Sequence, residues 1–275
     1  MHDFDGINAR GLVLVGCGRM GGAMLRGWLA RGLEPGAVTV IDPRVAPEWH
    51  DRGLRLNAPL PADPAVLVLA VKPQMMAGAL GGVPRLGDTL VISVAAGTTI
   101  ATYEAAFPGA AIVRVMPNTP AAIGQGISAM IGNARAGAAD LDLAEALMRA
   151  VGRVVRLDHE DQMDAVTGLS GSGPAYVFHM IEAMARAGEA QGLAPALALE
   201  LARMTVAGAG AQAVDADEDP AVLRENVTSP GGTTAAGLKV LMDEGTGLPP
   251  LMARTVAAAT ERGRELGRAA DRGGS

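Results

Sequence analysis

Leu12-Val13-Leu14-Val15-Gly16-Cys17-Gly18-Arg19-Met20-Gly21 is the stretch that decides the fold. Four apolar residues without polar alternation read as a strand buried on both faces, and the glycine pattern after them opens a helix. In a G-x-G-x-x-G turn the first glycine makes the bend, the second lets backbone approach a pyrophosphate, and the third lets helix and strand pack closely. The next apolar run ends in an acid, Asp42, at roughly the 20-residue spacing expected of a ribose-binding carboxylate. Together these features point to a dinucleotide site built on Gly16, Cys17, Gly18, Arg19, Met20 and Gly21. Cys17 reads as a small residue filling a variable turn position, with a thiol activated by the helix N-terminus as the alternative.

Outward from this turn, short apolar runs alternate with helix-like stretches as far as Leu157. The runs are 12–15, 38–41, 66–71, 90–94, 112–116, 127–131 and 153–157. Their continuous hydrophobicity, with helices between, predicts a mainly parallel sheet in a doubly wound α/β domain. After about His159 the texture changes. Val177, Met180, Ile181, Met184 and Ala187 follow helical spacing, Pro195 opens a further helix, and Pro249-Pro250 opens a closing one that runs to about Arg268. No strand pattern occurs in this half, so the chain is read as an α/β domain at 1–158 followed by an all-α domain at 159–275. The small-residue run Ala207-Gly208-Ala209-Gly210-Ala211 suits close helix contacts and self-association, Asp215 to Pro220 reads as a solvated acidic connector, and Asp271 to Ser275 as a disordered tail.

Composition narrows the function. A chain of 275 residues that is 49% hydrophobic but 3% aromatic builds its core from Ala, Val, Leu and Met. A net charge of −6 without a basic block argues against a nucleic-acid surface and for a small-molecule partner. Cys17 is the single cysteine, Met1-His2-Asp3-Phe4-Asp5 lacks a signal-peptide pattern, and the apolar runs are too short to span a bilayer, which together imply a cytoplasmic protein away from membranes. His2, His50, His159 and His179 lack ligand spacing, so no metal site is expected. His179 shares a helical stripe with Glu182, Arg186 and Glu189 and reads as solvated or interfacial.

The second site candidate is Ser229-Pro230-Gly231-Gly232-Thr233-Thr234, just ahead of an apolar helical segment. A small carboxylate can lie against the amides of Gly231, Gly232 and Thr233, with the Thr234 hydroxyl beside it. The plainer alternative is a glycine-rich turn with a threonine cap. Cofactor choice is balanced: Asp42 can accept the ribose 2′-hydroxyl of NAD, whereas Arg44, helped by Arg19, can neutralise the 2′-phosphate of NADP. Asp42 before Pro43 can equally turn away and cap the next segment.

The glycine turn, Ala70-Val71-Lys72-Pro73-Gln74, Ile92-Ser93-Val94-Ala95-Ala96-Gly97, Met116-Pro117-Asn118-Thr119-Pro120, the run from Thr167 to Tyr176, and Ser229 to Thr234 occur in an order that resembles pyrroline-5-carboxylate reductase across nearly the whole chain. The resemblance implies an N-terminal Rossmann domain and an all-helical C-terminal dimerisation domain, giving a homodimer that in this family often assembles into a ring of dimers. It implies reduction of L-1-pyrroline-5-carboxylate to L-proline with NADPH or NADH. It places Ala70, Val71, Lys72 and Pro73, and the loop through Ala96, along the dinucleotide, Asn118 near the nicotinamide and Asn57 near the adenosine ribose. Ser229, Gly231, Gly232 and Thr233 would hold the substrate carboxylate, and Thr234 would hydrogen-bond the ring nitrogen. Arg19 and Asp42-Pro43-Arg44 depart from the family pattern, where an Asn or Lys and a Ser- or Asn-Arg-type 2′-phosphate site are common.

Each motif has a plainer reading as well. Lys72 before Pro73 can be merely solvated, 170–174 can be a helix start with a first-turn proline, and Asn118 between prolines makes a plausible turn. A β-hydroxyacid dehydrogenase, which also joins a Rossmann domain to a helical one, needs an acid/base lysine in the helical half. After Lys72 the chain has only Lys239, in the segment that already matches the reductase loop. A dinucleotide-sensing regulator leaves Ser229 to Thr234 unexplained.

Overall fold

The computed structural model describes residues 4–81 and 87–273. The expectations for Met1 to Asp3 and for Gly274 and Ser275 lie outside them. Two compact units emerge, one formed by 1–171 together with 259–275 and the other by 172–258.

The first unit holds α1 (Asp5–Arg10), β1 (Leu12–Val15), α2 (Arg19–Ala30), β2 (Val38–Ile41), β3 (Arg55–Leu56), β4 (Val66–Leu69), α3 (Met76–Gly81), β5 (Leu90–Ser93), α4 (Ile100–Ala106), β6 (Ile112–Met116), β7 (Gly126–Gly132), α5 (Ala138–Arg149), β8 (Gly152–Arg156) and α6 (Gln162–Val166). The strands form one sheet in the order β3-β2-β1-β4-β5-β6-β7-β8. Every neighbouring pair is parallel except β6 with β7. Between those two the chain has only the 3₁₀ turn Thr119–Ile123, too little for the crossover that a parallel pair requires, so it doubles back. Chain order reverses at β1 and β4, which places the ligand crevice of such a sheet outside their carboxyl ends.

The continuous apolar runs have a direct structural cause. Leu12, Leu14, Val66, Val68, Leu90 and Ile92 point into one core, while Val13, Val15, Leu67, Leu69 and Val91 point into the other. Both sheet faces are covered, so every position must be apolar. Trp28 of α2 is fully buried on the first face and donates from Nε1 to the Leu147 carbonyl of α5 at 2.8 Å. Strands expected to reach Val71 and Val94 end at Leu69 and Ser93, because the chain turns there to leave the sheet; the two-residue β3 was not foreseen.

The second unit is helical throughout its described residues: α7 (Gly173–Ala190), α8 (Pro195–Asp215), α9 (Pro220–Asn226), α10 (Thr233–Leu241) and the first turns of α11 (Leu248–Gly273). α7 and α8 pack through small residues, and a side chain on Gly188 would come within 3.3 Å of Ala198 Cβ. The buried residues of this unit are Ala185, Ala198, Ala202 and Gly247, while Phe178, Leu201, Met204 and Val240 are exposed on the single chain.

α11 returns to the first unit, where Gly263 lies beside Asp164, and Leu266 and Gly267 lie beside Gly97. The tail expected to be disordered from Asp271 is helical through Gly273, continuing a helix whose preceding turns carry the ion pairs Arg262–Glu265 and Glu261–Arg268.

Candidate cofactor and substrate sites

The three glycines of the β1–α2 turn differ in what surrounds them. Gly16 has φ +93°, and a Cβ there would meet the Ala70 carbonyl at 2.7 Å and Val71 at 2.9 Å. A Cβ on Gly21 would meet the Gly16 carbonyl at 2.1 Å, so helix and strand touch backbone to backbone. Gly18, the N-cap of α2, has nothing within 4 Å. One glycine bends, one closes the packing, and the middle one faces open space where a pyrophosphate can approach. The first intrahelical bond runs from the Gly22 amide to the Gly18 carbonyl, leaving the amides of Arg19, Met20 and Gly21 at the positive end of a 12-residue helix. The residues present therefore fit a dinucleotide.

Asp42 follows β2 and is tied down on all sides. Its Oδ2 accepts from the Cys17 amide and its Oδ1 from the Arg44 amide, both at 2.7 Å. Asn57 grips its backbone, accepting from the Asp42 amide at 3.0 Å and donating to its carbonyl at 2.9 Å. Asn57 does so with φ +48°, an uncommon conformation that a short amide side chain tolerates. Burial, then the Asp42 charge, pushes the Cys17 thiol up to about 11, which favours the space-filling reading of that residue over a reactive one. Arg44 is exposed.

The other expected cofactor residues sit at the carboxyl edge of the sheet. The Ala70 amide donates to Val15 across the switch point, Val71 adjoins Gly16, Lys72 is exposed, and Pro73 opens a 3₁₀ turn. Ala96 is half-buried beside Gly97, whose φ of +72° turns the chain after β5. Asn118 behaves as a structural anchor: its Oδ1 accepts from the Ile127 amide at 2.9 Å and its carbonyl from Ala121, fixing the turn between β6 and β7.

Below the Ala95 to Gly97 loop lies a polar network that sequence reasoning missed. The Tyr103 hydroxyl bonds Ser93 and Thr98 in a buried setting that pushes its pKa up. Arg114 sits at 5% exposure in the middle of β6 and pairs with Glu160 at 2.6 Å. The same Glu160 oxygen accepts from the Ile100 amide, the first of α4, at 2.8 Å. An arginine inside Ile112-Val113-Arg114-Val115 was the available signal, because a charge in a run buried on both faces requires a partner.

Ser229, Gly231, Gly232, Thr233 and Thr234 are brought together at the start of α10. Gly231 takes φ +71°, and the Gly232 amide donates to the Ser229 carbonyl at 3.0 Å. That bond engages the Gly232 N–H, one of the three amides expected to meet a carboxylate, in the turn. The first amides without an intrahelical acceptor are those of Thr233, Thr234 and Ala235, since helical bonding begins from Ala236 to Gly232. Gly232 is the N-cap and offers no side chain. The Thr234 hydroxyl caps nothing and stands exposed, so the threonine-cap reading does not describe it.

Further upstream, 167–171 form a π-helical turn in which Thr167 and Ser170 donate to the carbonyls of Met163 and Val166. Gly171 leaves room for the Met116 methyl, which a Cβ would approach at 2.6 Å, so two of the quoted motifs interlock. Pro174 lies in the first turn of α7, and His179 is exposed beside Glu182. Among the described residues no three His, Cys, Asp or Glu side chains group as metal ligands, and no helix is long and apolar enough to cross a membrane.

Comparison with known proteins yields two family matches: pyrroline-5-carboxylate reductase dimerisation over residues 160–266, and NADP oxidoreductase, coenzyme F420-dependent, over residues 12–97. The chain is 38% identical over 264 residues to a pyrroline-5-carboxylate reductase of Pseudomonas aeruginosa, covering 93% of this chain and 96% of that one. The structure of a pyrroline-5-carboxylate reductase from Coxiella burnetii superposes with a TM-score of 0.82 at 32% identity, over 94% of this chain and 98% of that one. The Plasmodium falciparum pyrroline carboxylate reductase with NADP bound gives 0.80 at 28% identity, over 94% and 99% of the two chains.

Proposed function

The chain belongs to the pyrroline-5-carboxylate reductase family, and from that premise we propose that it reduces L-1-pyrroline-5-carboxylate to L-proline with NADPH or NADH, the last step of proline biosynthesis. The observation that carries the reading is the start of α10, where three amides without intrahelical acceptors flank a hydroxyl that caps nothing among the described residues. An anionic imino acid needs such a pair of features: dipole and N–H groups for its carboxylate, and a hydroxyl for its ring nitrogen.

In this proposal Ser229 and the Gly231–Gly232 turn shape the loop, and the amides from Thr233 to Ala235 hold the carboxylate. Thr234 meets the ring nitrogen, donating to the neutral imine or accepting from the iminium. When bound, a dihydronicotinamide would supply hydride to C5, and the nitrogen would bring its own proton as an iminium or take one from solvent as a neutral imine. No oxyanion develops, so the residues act by fixing the substrate and supporting nitrogen rather than by strong acid catalysis. The glycine turn from Gly16 to Gly21 would hold the pyrophosphate, and Asp42, Arg44 and Asn57 would frame the adenosine ribose. Ala70 to Pro73 and Ala96 would line the dinucleotide, and Asn118 would lie near the nicotinamide.

We extend the proposal to a cytoplasmic homodimer formed through 159–275, with dimers assembled further into a ring. The nearly coreless second unit, with its exposed Leu201, Met204 and Val240, supports self-association. The test is oxidation of NADH or NADPH by purified protein on addition of pyrroline-5-carboxylate. Turnover of 3-hydroxy acids with none of pyrroline-5-carboxylate would overturn the reading.

A further inference from the structure

We infer that this chain is built to take the unphosphorylated dinucleotide, NADH, with Asp42 as the residue that excludes the 2′-phosphate. The inference rests on the proposed dinucleotide role of the glycine turn. In a sheet of this type the acid that closes the second strand meets the 2′ position of the adenosine ribose. The register Val15↔Ile41 sets Asp42 directly against the turn that would carry the pyrophosphate.

An acid at this place excludes phosphate only if it cannot move away, and here it is held from four directions. The Cys17 and Arg44 amides each bind one carboxylate oxygen at 2.7 Å. Asn57 fixes the backbone from both its amide and its carbonyl. Rotation of the side chain would give up two charge-assisted bonds and leave the Cys17 amide without its partner. Each oxygen retains a lone pair for a ribose hydroxyl, which is a donor. A phosphate is an acceptor and an anion, and beside this carboxylate it would meet a fixed like charge.

Arg44 offers the opposing charge. Its amide is committed to Asp42, and its exposed guanidinium forms no ion pair among the described residues. The carboxylate is held in place, whereas the exposed guanidinium is free to turn toward solvent. The Asn57 clamp also explains why a non-glycine residue tolerates positive φ at that point: the conformation aims its amide at both backbone groups of Asp42.

The test is calorimetric binding of NAD⁺ and NADP⁺ to the full-length protein without substrate, backed by the shift in melting temperature each produces. Wild type is expected to bind NAD⁺ at least about tenfold more tightly than NADP⁺, the penalty for placing phosphate beside a fixed carboxylate. Asp42→Ser, which can still accept from the Cys17 amide, is expected to shift that ratio by about tenfold or more toward NADP⁺. Should that variant fail to fold, Asp42→Asn carries the same comparison with the side-chain volume retained. Equal or tighter NADP⁺ binding by wild type overturns the inference, and so does an unchanged ratio in a folded Asp42 variant. Selective NAD⁺ binding without pyrroline-5-carboxylate turnover would refute the proposed reaction and leave this inference standing. Turnover with NADP⁺-selective binding would do the reverse.

Discussion

Removing the Glu160 carboxylate, as in Glu160→Ala, strands a charge inside the sheet. Arg114 has 6% of its side chain exposed and pairs with Glu160 at 2.6 Å, while Glu160 is 32% exposed. Breaking a fully buried pair costs about 3–5 kcal/mol, and the partial exposure of Glu160 lets water recover some of that. The Ile100 amide loses its acceptor as well, adding about 1 kcal/mol. The expected loss is therefore about 2–4 kcal/mol, or on the order of 5–12 °C in melting temperature. Urea unfolding followed by tryptophan fluorescence suits the measurement, because Trp28 and Trp49 are the only tryptophans and both lie in the first unit. A paired replacement, Arg114→Met with Glu160→Leu, removes the orphaned charge and is expected to recover at least about half of the loss. A Glu160→Ala protein within about 0.5 kcal/mol of wild type would refute the reasoning, as would a double variant no better than the single one.

Thr234→Ala is expected to lower kcat/KM by an amount equivalent to about 1–3 kcal/mol, with kcat falling more than affinity for proline-like carboxylates, while Thr234→Ser keeps most activity. Because the hydroxyl makes no structural bond, the melting temperature of Thr234→Ala is expected to stay within about 1 °C of wild type; wild-type kcat/KM in a folded dimer would remove Thr234 from the reacting centre. Gly21→Ala places a methyl 2.1 Å from the Gly16 carbonyl and is expected to abolish measurable NAD⁺ binding, and retained binding would contradict the packing role given to that glycine. Leu201→Glu with Met204→Glu is expected to convert the proposed dimer to a poorly folded monomer in sedimentation, whereas a folded, active monomer would show that the helical unit needs no partner. With its pKa up at about 11, Cys17 is expected to be about 0.1% thiolate at pH 8, so alkylation stays slow there and rises tenfold per pH unit toward 11; rapid alkylation of the folded protein at pH 8 would contradict this.

The sheet was legible because burial on both faces leaves a signature, continuous apolar residues, that amphipathic elements lack. Strand direction leaves none, so the reversal at β7 emerged only from the short connection through 119–123. Arg55–Leu56 is too short to carry any period. The packing roles of Gly16 and Gly21 were readable, since a Cβ at either would collide with backbone, whereas Gly18 has nothing within 4 Å and its place beside a pyrophosphate is a proposal. Side chains that serve the backbone were less visible. Asn57 and Asn118 were assigned to ligands from the resemblance, yet both spend hydrogen bonds on Asp42 and Ile127 respectively, a commitment set by tertiary neighbours. At 229–234 the sequence pointed to a candidate anion site, but the identity of the amides without an intrahelical acceptor depended on where the helix begins. A shift of the helix start to Thr233 moves the open donors past Gly232.

The return of α11 to the first unit has a consequence for biosynthesis. Residues 259–273 complete a body whose other residues all precede Ser172, and they supply the neighbours of Gly97 and Asp164. On the ribosome the dinucleotide unit can form its sheet early, yet it stays unfinished while the whole helical segment is translated. The loop after β5 is thus covered only once α11 has been made. Unlike most two-domain chains, in which the first domain matures while the second emerges, this one defers completion of its nucleotide-binding half to the final turns of helix.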